Sequence, residues 1–87
     1  MAGEVTYYAI ISGDRTSSDP SGLARRRRLE TGGLVDEALH GDLTWGNTSA
    51  IVEWKRGAMD FDLVEISEAE AQALIERFRE KWGAQQG

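Results

Sequence analysis

Four consecutive arginines at residues 25–28 restrict the local structure of this 87-residue chain more than any other feature. On a helix, four successive side chains span about 300° of the circumference, which leaves little room for an apolar stripe. On a strand, the same side chains alternate between two faces, so at most two of them point the same way. The run therefore favours a strand.

The acidic residues that follow the run predict that residues 23–40 form a β-hairpin. Two registers about the Thr-Gly-Gly turn are open. One places Arg27 opposite Asp36, and the other places Arg28 opposite Glu37. Both registers set arginines against carboxylates, and opposite charges across a ladder stabilise the pairing. Internal neutralisation of the run is therefore the first expectation.

The run is expected on an exposed edge strand, where arginines discourage pairing with other sheets, and it is also the candidate partner-binding site of the chain. Guanidinium groups bind carboxylates and phosphates bidentately. Trp45 is expected on a loop over residues 41–49, where a tryptophan either anchors an interface or covers the core and fixes the loop. A net charge of −5 disfavours general affinity for nucleic acid. The expected partner is therefore an acidic protein or a second copy of the chain, with nucleic acid as the alternative. The candidate residues are Arg25, Arg26, Arg27, Arg28 and Trp45.

Other segments add strands to the hairpin. Residues 5–12 are rich in β-branched and aromatic types, with apolar side chains on both faces, which is typical of a central strand. Residues 50–56 and 61–66 are predicted to form two further strands. Residues 13–22 carry the only proline and many turn formers, and they predict a mobile loop. A short helix at residues 34–40 is the alternative to the second strand of the hairpin.

The C-terminal segment predicts a helix over residues 68–82. Ser67 and Glu70 have the spacing of a capping box, and Gly83 is placed to be the C′ residue. The apolar side chains that recur at helical spacing, and so define one face, are Ala71, Leu74, Ile75, Phe78 and Trp82.

Together these elements predict an α+β fold, in which one C-terminal helix packs on a face of an antiparallel sheet of four or five strands. The length fits one small globular domain spanning residues 1–87. No apolar run has the length of a membrane helix, and no targeting segment is recognised. We therefore expect a cytoplasmic protein that does not enter membranes.

The composition disfavours catalysis. A chain without cysteine has no thiolate nucleophile and no thiolate zinc site. His40 is the only histidine, and it lies among scattered carboxylates that lack the spacing of a metal or acid–base site. Asp60 and Asp62 flank a strand entry, where acidic residues are common. We expect no enzyme activity, no metal and no cofactor.

The sequence LVEISEAEAQALIERF at residues 63–78 resembles the strand-to-helix ending of small uncharacterised proteins from high-GC bacteria and their phages. The pair Tyr7 and Tyr8 and the segment around Trp45 are similar as well. The resemblance implies no activity and favours an accessory or regulatory role. The sequence thus predicts a non-catalytic protein-interaction or regulatory module. Self-association through an open sheet edge, or a nucleic-acid accessory role, is a further expectation.

Overall fold

The structure, a computed structural model, describes residues 4–16, 19–57 and 60–86. In chain order the elements are β1 (Val5–Ile11), β2 (Gly22–Arg28), β3 (Leu34–Leu39), β4 (Trp45–Asn47), α1 (Ala50–Lys55), β5 (Asp62–Ile66) and α2 (Glu68–Gln86). The strands form one sheet in the order β4-β3-β2-β1-β5, and every neighbouring pair is antiparallel. The α+β class, the five-stranded sheet and the C-terminal helix are confirmed.

The main core lies between α2 and one face of the sheet, here called the α2 face. Alternate residues of the strands point to this face, and the stripe of α2 covers them. Phe78 stacks on Trp82 with ring centroids 4.5 Å apart, which extends the apolar contact along the helix. The buried members of this cluster are Tyr7, Ala9, Leu23, Leu39, Ile66, Ala71, Leu74 and Phe78.

The capping box that begins α2 is present as predicted. The Ser67 amide donates to Glu70 Oε1, and the Glu70 amide donates to Ser67 Oγ, each at 3.1 Å. The prediction for the other end was wrong, because the helix continues through Gly83 and ends at Gln86. A glycine inside a helix costs only about 1 kcal/mol relative to alanine, so its neighbours can carry the helix past it.

The prediction of a strand at residues 50–56 was wrong, because this segment forms the short helix α1. In a strand, Val52 and Trp54 would share one face. Instead, Ile51 is fully buried and Val52 is 38% exposed. Ile51 and Trp54, three residues apart, pack with the opposite face of the sheet, here called the α1 face. Thr48 Oγ1 accepts the Ala50 amide at 3.1 Å at the start of the helix.

The predicted hairpin is present as β2 and β3, so the alternative of a helix at residues 34–40 was wrong. Neither predicted register is the observed one. The Leu29 amide donates to the Gly33 carbonyl at 2.8 Å, which closes a three-residue loop over residues 30–32. Gly32 has φ of +92°, the left-handed conformation that such a loop needs at its last position.

The loop predicted at residues 13–22 connects β1 to β2. Arg15 and Asp19 form an exposed ion pair at 3.0 Å, and Pro20 is buried. Residues 17 and 18, which fall within the predicted mobile loop, lie outside the described residues.

Candidate functional site

Strand β2 lies inside the sheet between β1 and β3. This corrects the expectation that the arginine run lies on an exposed edge strand. The alternation predicted for a strand holds. Arg25 and Arg27 point to the α2 face, whereas Arg26 and Arg28 point to the α1 face. The run therefore presents two separate pairs of guanidinium groups.

On the α2 face, two arginines share one carboxylate. Arg25 Nε and Arg27 Nε donate to Glu37 Oε1 at 2.8 and 2.9 Å. Arg25 stands directly opposite Glu37 across the β2–β3 ladder, and Arg27 reaches it diagonally. The terminal Nη atoms of both arginines have no hydrogen-bond partner among the described residues. Two positive charges and one negative charge leave this triad with a net charge of +1.

The triad holds Glu37 ionised. Its side chain is 12% exposed, and this burial opposes the charged form. The hydrogen bonds and positive charges of Arg25 and Arg27 outweigh burial and lower the pKa of Glu37 below its usual value. The carboxylate is therefore a fixed acceptor that holds both guanidinium groups in place.

Trp45 lies beside the triad. The Arg25 guanidinium carbon is 4.2 Å from the centroid of the Trp45 ring, which is cation–π geometry. Tyr7 also contacts the Trp45 ring, with ring centroids 6.3 Å apart and a tilt of 59°. Trp45 is half-buried against the main core. The structure thus brings Arg25, Arg27 and Trp45 together on one open part of the α2 face.

A tight turn positions Trp45 at the start of β4. Asp42 Oδ1 accepts the Thr44 amide at 3.1 Å and the Thr44 hydroxyl at 2.6 Å. These hydrogen bonds lower the pKa of Asp42. Leu43 has φ of +66°, which is strained for a branched side chain, and that side chain packs against the main core. Trp45 was predicted to lie on a loop over residues 41–49, but the turn makes it the first residue of β4.

The α1 face carries a different arrangement. Arg26 donates to Asp36 through Nε at 2.7 Å and through Nη2 at 3.0 Å, so the pair is bidentate and neutral overall. The hydrogen bond to Asp36, opposed by burial, raises the pKa of Arg26. Arg28 is exposed and forms no side-chain ion pair with any described residue. Internal pairing is therefore confirmed for Arg25, Arg26 and Arg27.

The histidine and acidic side chains considered for a catalytic or metal site do not come together in one cluster within the described residues. His40 is exposed, and its ring lies against Gly46, so that a Cβ atom at position 46 would collide with the ring. Within residues 4–16, 19–57 and 60–86, no group of histidine or acidic side chains has the arrangement of a metal site. Across the same ranges, no helix has the length and apolar character needed to span a membrane.

The shared carboxylate was missed by sequence reasoning. Glu37 had been treated as one of several acidic residues facing the run, and only the observed register places it between two arginines. Comparison of the chain with protein-family models, with curated proteins and with solved structures finds no match.

Proposed function

We propose that this protein is a non-catalytic protein-interaction or regulatory module. In this proposal, Arg25, Arg27 and Trp45 bind an acidic segment of a partner protein. One observation carries it. Both arginines use only Nε to hold Glu37, which leaves their terminal nitrogens without a hydrogen-bond partner in the described part of the chain. Two guanidinium groups held in place lose less side-chain entropy on binding a carboxylate than free ones would.

The neighbouring tryptophan supports a protein partner. Trp and Arg are among the residue types most enriched at the centre of protein interfaces, and here Arg25 already stacks on Trp45. A nucleic-acid role is the alternative, because the same nitrogens can bind phosphate. The net charge of only +1 on the triad suits one or two carboxylates better than the closely spaced phosphates of a nucleic acid, which favours the acidic peptide.

A matched pair of variants tests the proposal. Arg27 and Arg28 are adjacent, and both are substantially exposed, but only Arg27 belongs to the triad. We expect R27Q to weaken binding of short Asp- and Glu-rich peptides by about tenfold, the effect of one charge-assisted hydrogen bond. R28Q should bind like the wild type. Titrations followed by amide resonances and by tryptophan fluorescence would measure both.

Control titrations use neutral peptides of the same length and single- and double-stranded oligonucleotides. Equal losses in R27Q and R28Q would show that the affinity is a general effect of charge, which contradicts a dedicated site. Tighter binding to oligonucleotides, with affinity falling steeply as salt increases, would favour the nucleic-acid alternative. If no acidic peptide binds the wild type, the proposal is wrong.

A further inference from the structure

The sheet has two edges, and they differ in length. At one edge β4 has three residues, and at the other β5 has five. Val64 in the middle of β5 is 40% exposed, although it points to the same face as the main core. A strand edge with unpaired main-chain groups is a template for another strand. The outer edge of β5 is therefore a surface on which a further strand can pair.

We propose that the partner strand is β5 of a second copy, paired antiparallel about a two-fold axis at Val64. This proposal is independent of the acidic-peptide site on β2. It joins two five-stranded sheets into one continuous sheet, which is an isologous interface.

The hydrogen-bonding pattern of β1 determines which groups of β5 face outward. The carbonyls of Glu4 and Ile10 accept hydrogen bonds from the β2 side. Because main-chain groups alternate along a strand, the intervening odd-numbered residues of β1 face β5. Their partners in β5 are Asp62, Val64 and Ile66.

The main-chain groups of the other two residues of β5, Leu63 and Glu65, therefore point away from the sheet. A symmetric antiparallel pair must use these outward groups, so the two-fold axis passes through a residue and not between two. Axes at Leu63, Val64 and Glu65 give the greatest overlap of β5 with its copy. An axis at Glu65 would set two carboxylates directly opposite each other, which is destabilising. An axis at Leu63 would leave part of β5 paired with residues outside the strand. An axis at Val64, the midpoint of Asp62–Ile66, overlaps the whole strand with its copy.

The side chains fit the Val64 axis. Val64 meets its own copy, so its exposed surface becomes buried. Asp62 lies opposite Ile66 of the second copy, and Glu65 lies opposite Leu63 of the second copy, so no like charges face each other directly. Among the residues of β5, only the two copies of Glu65 place like charges at diagonal positions, which lie about 7–8 Å apart in a ladder. Their repulsion and the short overlap predict a weak, reversible dimer.

Sedimentation of the full chain over a range of concentrations tests the pairing. The wild type should dimerise reversibly below ~1 mM, a range chosen because small interfaces are weak. V64K and V64E should each be monomeric, since each variant sets like charges together at the axis. Mixing V64K with V64E should restore the dimer, because the introduced lysine then meets the introduced glutamate of the other copy. This rescue is specific to a residue that pairs with itself.

Matched controls separate this interface from other causes. Val52 has nearly the same exposure, 38%, but lies on α1, so V52K should dimerise like the wild type. E65Q should dimerise several-fold more tightly because it removes the diagonal repulsion. A wild type that stays monomeric to ~1 mM would overturn the inference. So would a V64K dimer as tight as the wild type, or a V64K and V64E mixture that stays monomeric while both variants are folded by circular dichroism.

Discussion

The substitution of Glu37 by glutamine tests how the arginine triad contributes to stability. Glutamine keeps the shape and an acceptor oxygen, but it removes the negative charge that Arg25 and Arg27 share. In E37Q each hydrogen bond keeps its charged guanidinium donor but loses its charged acceptor. An ion pair that is not fully buried contributes up to about 1 kcal/mol, so each contact should lose up to ~1 kcal/mol. Arg27 is 40% exposed, so solvent screens its share. We therefore expect a total loss of about 1–1.5 kcal/mol.

Thermal and urea unfolding at neutral pH measure this loss. For a chain of this size it corresponds to a decrease in Tm of about 4–12 °C. The control is E30Q, an exposed acidic residue in the same hairpin with no ion pair among the described residues. E30Q should unfold close to the wild type. If E37Q is as stable as E30Q, the triad does not stabilise the fold and the reasoning is refuted.

The pH dependence provides a second measurement on the same variant. The folded pKa of Glu37 lies below its usual value of 4.5, so the unfolded chain binds a proton more readily than the folded chain. The stabilisation by Glu37 is therefore complete above pH 4.5 and is lost as the pH falls through the folded pKa. The stability difference between wild type and E37Q should shrink across that window. A difference that stays constant down to pH ~3 would contradict an ionised, paired Glu37.

Three further substitutions test the helices. I51A should destabilise the protein by about 2–4 kcal/mol, because Ile51 is fully buried, whereas V52A should change stability by less than about 0.5 kcal/mol. Urea unfolding would distinguish this order from the reverse order that a strand at residues 50–56 would give. S67A should destabilise α2 by about 1 kcal/mol, because it removes the acceptor of the Glu70 amide. Amide exchange confined to the first turn of α2 would verify the location of that loss.

Long segments with repeated signals were predictable from the sequence. The α2 helix combines a capping box with an apolar stripe over several turns, and β1 combines composition with length. The short elements were not predictable in the same way. Six residues of α1 contain fewer than two helical turns, so Val52 and Trp54 imitate the alternation of a strand. The three residues of β4 have no periodicity to detect.

The candidate site was predictable in part for a related reason. The arginine run and the facing acidic residues favour a paired hairpin whatever the register, and this much follows from charge and alternation. The sharing of Glu37 between Arg25 and Arg27 depends on the register to a single residue. That register is set by the three-residue turn with Gly32 at positive φ. A Thr-Gly-Gly sequence permits several turns, so the sequence did not predict the register that places Glu37 between Arg25 and Arg27.

Helix α1 covers only part of its face of the sheet, and this explains why four arginines occur on an interior strand. Helix α1, with six residues, is about 9 Å long, whereas β2, with seven residues, extends about 23 Å. Helix α1 therefore covers only the end of the α1 face near Ala24 and Leu63. The other end of β2 and β3 lies beyond α1, so no part of α1 covers that end of the α1 face. Further apolar side chains there would enlarge an exposed patch that already includes Leu34. Arginines paired with carboxylates keep that end hydrated and still stabilise the ladder, since the pairs satisfy charges that partial burial would otherwise penalise. On this argument the first role of the arginine run is to stabilise the end of the sheet that α1 does not cover. The terminal nitrogens of Arg25 and Arg27 have no hydrogen-bond partner among the described residues. They are therefore the groups on the α2 face that can bind a ligand.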